Sequence, residues 1–411
     1  MRNVAAFLVA ILASTAASAG PTLPPEAAVV ATLDNHPTVS GAGERVAAAR
    51  SAADMLSRGP YEFTVQGNYT SREVRMDRRY DEFDGTFSRS FRMPGKGALD
   101  RKSGQLGVEV AQNMMEDTRH HTALVLAEMW VDWLAAGEQL RNDDATVELL
   151  GQELRALERR RELRDAAQLE VDQARAAMDQ AEGQATRSRA DMERARAMLA
   201  ANFPDLPIGE APPAMGLPEL PAQGLDALRD MVIARSHEIR AAEREAERLS
   251  VVAERSRKDR FADPTVGLRV FSEFEGRERG AGVQLSIPLG GGYRKAKAEE
   301  AASVASAANF DTVNVRRTIE ATANADLVDA RNRFGSWGRF AEAARTAAQA
   351  AERVGTGHKL GAIDLADLLL ARRQDHEARR MEITARADAI RAILKLQIDS
   401  HTIWMGAEDE G

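Results

Sequence analysis

Two kinds of hydrophobic pattern alternate along the chain. Tyr61, Phe63, Val65, Gly67 and Tyr69 alternate with Glu62, Thr64, Gln66 and Asn68, and Phe83, Gly85, Phe87, Phe91 and Met93 repeat the pattern with one fault at Arg89. A period of two predicts strands with one apolar face, here about 61–72 and 82–93. Val266, Leu268 and Val270, then Ala281, Val283, Leu285 and Ile287, predict two more, about 264–274 and 280–288. Both pairs end at a proline, Pro94 and Pro288. Elsewhere apolar residues recur at helical spacing, as in Leu126, Trp130, Trp133 and Leu134, then Val147, Leu150, Leu154 and Leu157. A first helix is expected over Ser40–Ser57, begun after Pro37 and stopped by Gly59-Pro60. After each strand pair the chain runs without proline to about Arg164 and about Arg353, which at ~1.5 Å per residue predicts helices on the order of 100 Å long. Further long helices are expected from about Ala166 to Asn202 and from about Ile363 to His401. The short connections, Leu163 to Gln168 and Gly355 to Asp364, fold each pair into an antiparallel coiled hairpin.

The same plan is written twice. Asn35-His36-Pro37 answers to Ser236-His237-Glu238 at a shift of 201, Met93-Pro94-Gly95 to Ile287-Pro288-Leu289 at 194, and Trp130-Val131-Asp132 to Leu327-Val328-Asp329 at 197. Ala166-Ala167-Gln168-Leu169 answers to Ala362-Ile363-Asp364-Leu365 at 196, and Arg196-Ala197-Met198-Leu199 to Arg391-Ala392-Ile393-Leu394 at 195. Matches in constant order imply a tandem duplication of a helix, strand, strand, long helix, long helix unit. Residues 20–203 form the first repeat and 224–411 the second. Pro204, Pro207, Pro212, Pro213, Pro218 and Pro221 make 204–223 an extended linker between them.

Composition narrows the possibilities. With no cysteine among 411 residues, disulfide frameworks, Cys-ligated metals, thiol catalysis and a lipidated N-terminal Cys are excluded. Arg2, the apolar run Val4 to Leu12 and Ala17-Ser18-Ala19 predict a signal peptide over 1–19 and export. Its removal takes away one arginine and no acid, so the net charge goes from -8 to -9, which speaks against nucleic acid as a partner. Past Ala19 no stretch is long and apolar enough for a membrane-spanning helix, but a β-barrel remains open.

Four amphipathic strands cannot close a barrel, and an open edge cannot sit in lipid. Three copies would supply twelve strands, an even number suited to a closed ring. Tyr, Phe, Val and Leu would face lipid, with Phe63, Val65, Phe87, Val283 and Leu285 as wall residues, and the polar set would line the lumen. The expected fold is therefore mainly helical with membrane β. The duplicated plan, Asn35-His36-Pro37, Asp263-Pro264-Thr265-Val266-Gly267, Leu285-Ser286-Ile287-Pro288-Leu289 and Gly361-Ala362-Ile363-Asp364-Leu365-Ala366-Asp367 resemble the outer-membrane efflux protein family, the TolC-like channels. The Asn-His-Pro form and the length are similar to its heavy-metal-efflux, CzcC-like branch. The resemblance implies a homotrimer with a 12-stranded outer-membrane barrel continued by a periplasmic α-helical barrel. It further implies a tip that docks a periplasmic adaptor bound to an inner-membrane pump of the resistance-nodulation-division type.

On that resemblance Asp364 and Asp367, three apart at the start of the last long helix, match the aspartates that narrow the periplasmic entrance. Six carboxylates around one axis would repel and favour cations, whereas the alternative reading is two acids at a helix N-terminus. At a shift of 196 their first-repeat equivalents are Gln168 and Val171, so no second acidic ring is matched there, although Glu170 and Asp172 lie near. Adaptor contact is expected at Arg164, Asp165, Ala166 and Leu169 and at Gly357, Gly361 and Leu365, with Gly355, Gly357 and Gly361 in the turn. The scattered histidines, including His120, His121 and His376, read as surface residues and not as metal ligands, and Gly290-Gly291-Gly292 reads as a bend, since it lacks the spacing of a phosphate loop. No nucleophile, base and orienting acid come together, so neither enzyme activity nor a cofactor is expected. A passive efflux conduit for metal cations or drugs is the leading reading. A type I protein secretion conduit and a soluble periplasmic coiled-coil adaptor or scaffold are the alternatives.

Overall fold

A computed structural model describes residues 23–404. The expected signal peptide lies outside the described residues. The chain divides into two compact units. One contains Val30–Val125, Asp226–Leu327 and the described residues 396–404. Its elements are α1 (Glu26–Asp34), α2 (Pro37–Arg58), β1 (Phe63–Glu73), β2 (Arg79–Ser90), the first part of α3 (Lys96–Glu162), α5 (Leu225–Arg235), α6 (His237–Lys258), β3 (Thr265–Glu273), β4 (Glu278–Ser286) and the first part of α7 (Gly292–Lys359). Pro37 is the first helical residue of α2 and not a breaker before it, because its missing N–H has no partner to lose there. His36 caps α2 by accepting the Thr38 N–H, and Ser236 caps α6 by accepting that of Ile239. The caps are 200 residues apart, so His36 corresponds to Ser236 rather than to His237. The four strands form one antiparallel sheet in the order β1-β2-β3-β4. Among the helices of this unit Val39, Val46, Leu106, Leu228, Ile239 and Val251 are buried, joined by alanines such as Ala42, Ala305 and Ala308 that let helix backbones approach closely.

The other unit contains Leu126–Leu225 and Val328–Lys395. It is built from the remainder of α3 and α7 with α4 (Gln168–Asn202) and α8 (Leu365–Asp399). Leu126, Trp130, Trp133, Leu134, Leu150, Leu154 and Leu157 are buried, so the helical stripe of α3 faces partners throughout. The segment 204–223 contains no helix or strand, as its prolines require. It is strapped down by Arg141, which donates to the Pro212 and Pro213 carbonyls, by Glu138, which accepts the Met215 N–H, and by Arg386, which donates to the Met215 carbonyl. Pro212 lies so close to Gly137 that a β-carbon there would overlap the proline ring.

The helix lengths fall into matching series. α2 and α6 each have 22 residues, α3 and α7 have 67 and 68, and α4 and α8 have 35 each.

Candidate functional site

The sheet sorts the strand residues by chemistry. Val65 pairs with Phe87, Phe87 with Leu268 and Leu268 with Val283, so one apolar row crosses all four strands. The row on one side is Phe63, Arg89, Val266 and Leu285, and on the other Gly67, Gly85, Val270 and Ala281, followed by Tyr69, Phe83, Ser272 and Arg279. The intervening positions form the opposite face, with Thr64, Ser88, Gly267 and Gln284 in one row and Gln66, Thr86, Arg269 and Gly282 in the next. All five anticipated wall residues, Phe63, Val65, Phe87, Val283 and Leu285, share the apolar face and are 46% to 79% exposed. None of the described residues covers them. The fault in the pattern, Arg89, lies at the margin of this face, its guanidinium over the Phe63 ring at 4.7 Å and bonded to the Tyr61 carbonyl.

One buried lysine ties the roots of both hairpins together. Lys96, 1% exposed, donates to Asp263 and to the Phe261 carbonyl at 2.9 and 2.8 Å, and its ammonium is 2.8 Å from Asp259. Asp263 also accepts the Met93 N–H and the Tyr61 hydroxyl. Burial works against the charge of Asp259, but Lys96 and Arg255 outweigh it and hold its carboxyl below the usual range.

The two helix hairpins turn in the same way. After α3, Arg164 adopts a left-handed φ of 64° while its N–H bonds the Arg161 carbonyl and that of Asp165 bonds Arg160. After α7, Gly361 has a φ of 73°, its N–H bonds His358 and that of Ala362 bonds Gly357. These are Schellman closures, and they are 197 residues apart. This register shifts the correspondence between the two hairpins by one residue. Asp364 caps α8, its Oδ1 accepting the Asp367 N–H at 2.8 Å, and Asp367 stands exposed in the first turn. The matching positions are Ala167 and Glu170, not Gln168 and Val171. Glu170 reaches back to the Ala167 N–H, so each hairpin carries a carboxylate at the third position of its returning helix.

Three further expectations at these turns change. Gly355 and Gly357 belong to the last turns of α7 rather than to the loop, because α7 continues to Lys359. Gly357 leaves the space that Ile363 fills. Leu365 is not available for docking, since it is 3% exposed and packs with Leu154 and Leu157 of α3, Val171 and Ala174 of α4 and Leu368. Arg164, Asp165 and Leu169 are exposed, and Leu163 and Leu360, at 80% and 79%, stand out beside them. Those two leucines immediately precede the left-handed residues, a position that the tight turn leaves outside the helix packing.

No family model and no curated protein sequence matches the chain. Solved structures do. The outer-membrane channel OprN superposes with a TM-score of 0.69 at 18% identity, covering 92% of this chain and 90% of that one. The outer membrane protein VceC from Vibrio cholerae gives 0.71 at 15% identity over 91% and 95%. The open-state MtrE outer membrane channel of Neisseria gonorrhoeae gives 0.71 at 17% over 91% and 88%. The chain has the TolC-like outer-membrane channel fold.

Within this channel fold the histidines depart from expectation. His237 and His401 are buried, and the side chains of His120 and His376 are each only 15% exposed, so they are not surface residues. His376 and Arg380 of α8 converge with Ser188 of α4 on Asp143 of α3, whose side chain has no exposed surface. The distances are 2.6 Å from His376, 2.7 and 2.8 Å from Arg380 and 2.5 Å from Ser188. Burial disfavours the charge of Asp143, but these bonds outweigh it and hold the carboxyl below its ordinary value. Among the described residues no group of three or more His, Asp or Glu is arranged to hold a metal ion, and no helix is long and apolar enough to cross a membrane.

Proposed function

We propose that this chain is one protomer of a trimeric outer-membrane conduit, a member of the outer-membrane efflux protein family serving a tripartite efflux system. One observation carries the reading: a four-stranded sheet with two open edges presents a continuous apolar face that stands exposed among the described residues. In water that face is costly, and in lipid it is favourable provided the edges are paired. The apolar rows from Phe63 to Tyr69 span about 20 Å at ~3.4 Å per residue, near the height of a barrel's lipid-facing band, with Tyr69 and Phe83 toward one margin as an aromatic girdle requires. A soluble adaptor would have no use for such a surface.

The remaining assignments follow from this reading. Residues 1–19 are a cleaved signal peptide, and 20–203 and 224–411 are duplicated repeats joined by the 204–223 linker, supported by the paired helix lengths and the two Schellman turns. Asp364 and Asp367 form the periplasmic gate. Arg164, Asp165, Ala166 and Leu169 with Gly361, joined by Leu163 and Leu360, form the surface offered to a periplasmic adaptor, itself bound to an inner-membrane pump. The cargo is metal cations or drugs, selected by the pump.

Fractionation tests the proposal. Expression in a Gram-negative host should place a detergent-extractable trimer in the outer membrane, and a salt-soluble monomer would overturn it. Comparing growth of a deletion strain on Zn, Co, Cd, Cu and Ag salts and on lipophilic drugs then separates the two cargo classes.

A further inference from the structure

The chain carries a net charge of -8, yet bases gather where the sheet meets its helices. Three acids of that region are already matched. Lys96 pairs with Asp259 and Asp263, Arg255 with Asp100 and Asp259, and Arg92 lies 3.3 Å from Asp100. Arg89 is outside this set. It shares an apolar row with Phe63, Val266 and Leu285, and its Nε donates to the carbonyl of Tyr61, which lies one row nearer the helices. The charge thus leans out of the apolar band, as long basic side chains do at a membrane boundary.

The segment that leads from β4 into α7 repeats the combination of apolar and basic side chains. Ile287 and Leu289 continue the alternation of β4, and Gly290 turns the chain with a φ of 87° while the Arg294 side chain closes on its carbonyl. Tyr293, Arg294, Lys295 and Lys297 then open α7. Residues 287–297 hold these three bases and no acid. Leu289 and Tyr293 are 89% and 81% exposed, and Phe261, beside Arg260, is 70% exposed. Acids do stand nearby: Glu299 is 3.7 Å from Lys295, with both side chains well exposed, Glu300 follows it, and Glu62 and Glu254 are exposed at the same end of the sheet. An exposed pair at that distance is worth little. Nor does the helix account for the bases, since cations in its first turn oppose its dipole and no acid is there.

We propose that this belt is a docking surface for the anionic glycerophospholipids of the inner leaflet of the outer membrane. Arg89, Arg294, Lys295 and Lys297 meet the phosphates, and Leu289 and Tyr293 enter the boundary between headgroup and acyl chain. The inference rests on the channel reading, which puts the apolar rows in lipid and the helices in the periplasm. Residues next to those rows on the helix side then lie at headgroup level, where a tyrosine ring and a basic tip are both well placed. Guanidinium groups suit phosphate oxygens in particular. Net positive charge favours an anionic headgroup over a zwitterionic one, whose ammonium it repels, and each base near such a surface is worth about fivefold in affinity.

Native mass spectrometry of the trimer extracted from the outer membrane in nonionic detergent, titrated with phosphatidylglycerol or with phosphatidylcholine, tests it. Wild type should bind phosphatidylglycerol more than about tenfold more tightly than phosphatidylcholine. Arg89→Gln should cut that preference about fivefold, and Arg294→Gln with Lys295→Gln and Lys297→Gln should cut it further. Arg75→Gln with Arg277→Gln, in the turns at the other end of the sheet, should retain it. Equal affinity of wild type for the two lipids would overturn the proposal without recourse to any variant and leave the channel reading standing. So would a preference undiminished in both belt variants. Displacement of phosphatidylglycerol by an equal concentration of free glycerol phosphate would reassign the belt to a soluble anion and overturn the lipid assignment, whereas a salt-soluble monomer on fractionation would remove this inference and the channel reading together.

Discussion

The carboxylate of Asp143 is withdrawn from water on α3 and answered by three donors on two other helices, so its removal leaves Arg380 and His376 without their anion. Breaking a buried pair of this kind costs about 3–5 kcal/mol, and Asp143→Ala should lower the melting temperature accordingly. The pH dependence has a definite sign. The folded carboxyl titrates below its unfolded value, so its contribution is complete above the unfolded pKa near 4 and is lost as pH falls through the folded one. Wild type should therefore lose stability on acidification from pH 5 to 3 more steeply than Asp143→Asn, as thermal unfolding at each pH would show. Asp364 calls for a different substitution, because it does two things. Its side chain caps α8, and capping is worth about 1 kcal/mol. Alanine would confound lost charge with a frayed helix, whereas Asn retains the cap. In planar bilayers Asp364→Asn with Asp367→Asn should raise conductance and weaken block by divalent cations. Unchanged conductance and block would remove the gate assignment.

The strands are the elements most legible in the sequence, since period two assigns every side chain to a face without knowledge of any partner. The sheet register then brings Val65, Phe87, Leu268 and Val283 into one row, and an arginine there should cost about 2–4 kcal/mol in lipid. Val65→Arg or Leu285→Arg should reduce trimer yield in the outer membrane, and Gln66→Arg, on the opposite face, should be tolerated. Reduced yield from Gln66→Arg with normal yields from the other two would mean that the faces are reversed, and equal yields from all three that neither face meets lipid. The helices were legible in length but not in their contacts. Spacing on α8 marks Leu365 as apolar, yet only the return of α3 and α4 past it determines that it is core and not surface. The histidines were misread for the same reason: His120, His237 and His401 lie far apart in sequence and meet only in the folded chain. A one-residue uncertainty in the repeat offset set Val171 opposite Asp367 and left Glu170 only as a nearby acid, and the backbone hydrogen bonds at the two turns set Glu170 in its place.

For the molecule as a whole, the sheet ends at β1 and β4, and their outward N–H and C=O groups need partners if the sheet lies in lipid. Within one chain the two edges cannot meet, since β2 and β3 stand between them at ~4.8 Å per strand, placing β1 and β4 about 14 Å apart. A disulfide tolerates no more than about 7 Å between α-carbons. The chain has no cysteine of its own, so an introduced pair reports cleanly. Gln66→Cys in β1, combined in turn with Gly282→Cys, Gln284→Cys or Ser286→Cys in β4, places both thiols on the polar face and samples the registers that a seam between copies could adopt. Oxidation in intact outer membranes should give at least one variant that runs as covalent dimer and trimer on denaturing gels and reverts to monomer on reduction. If every pairing stays monomeric, the edges are not joined between copies, and the ring in lipid loses its physical basis.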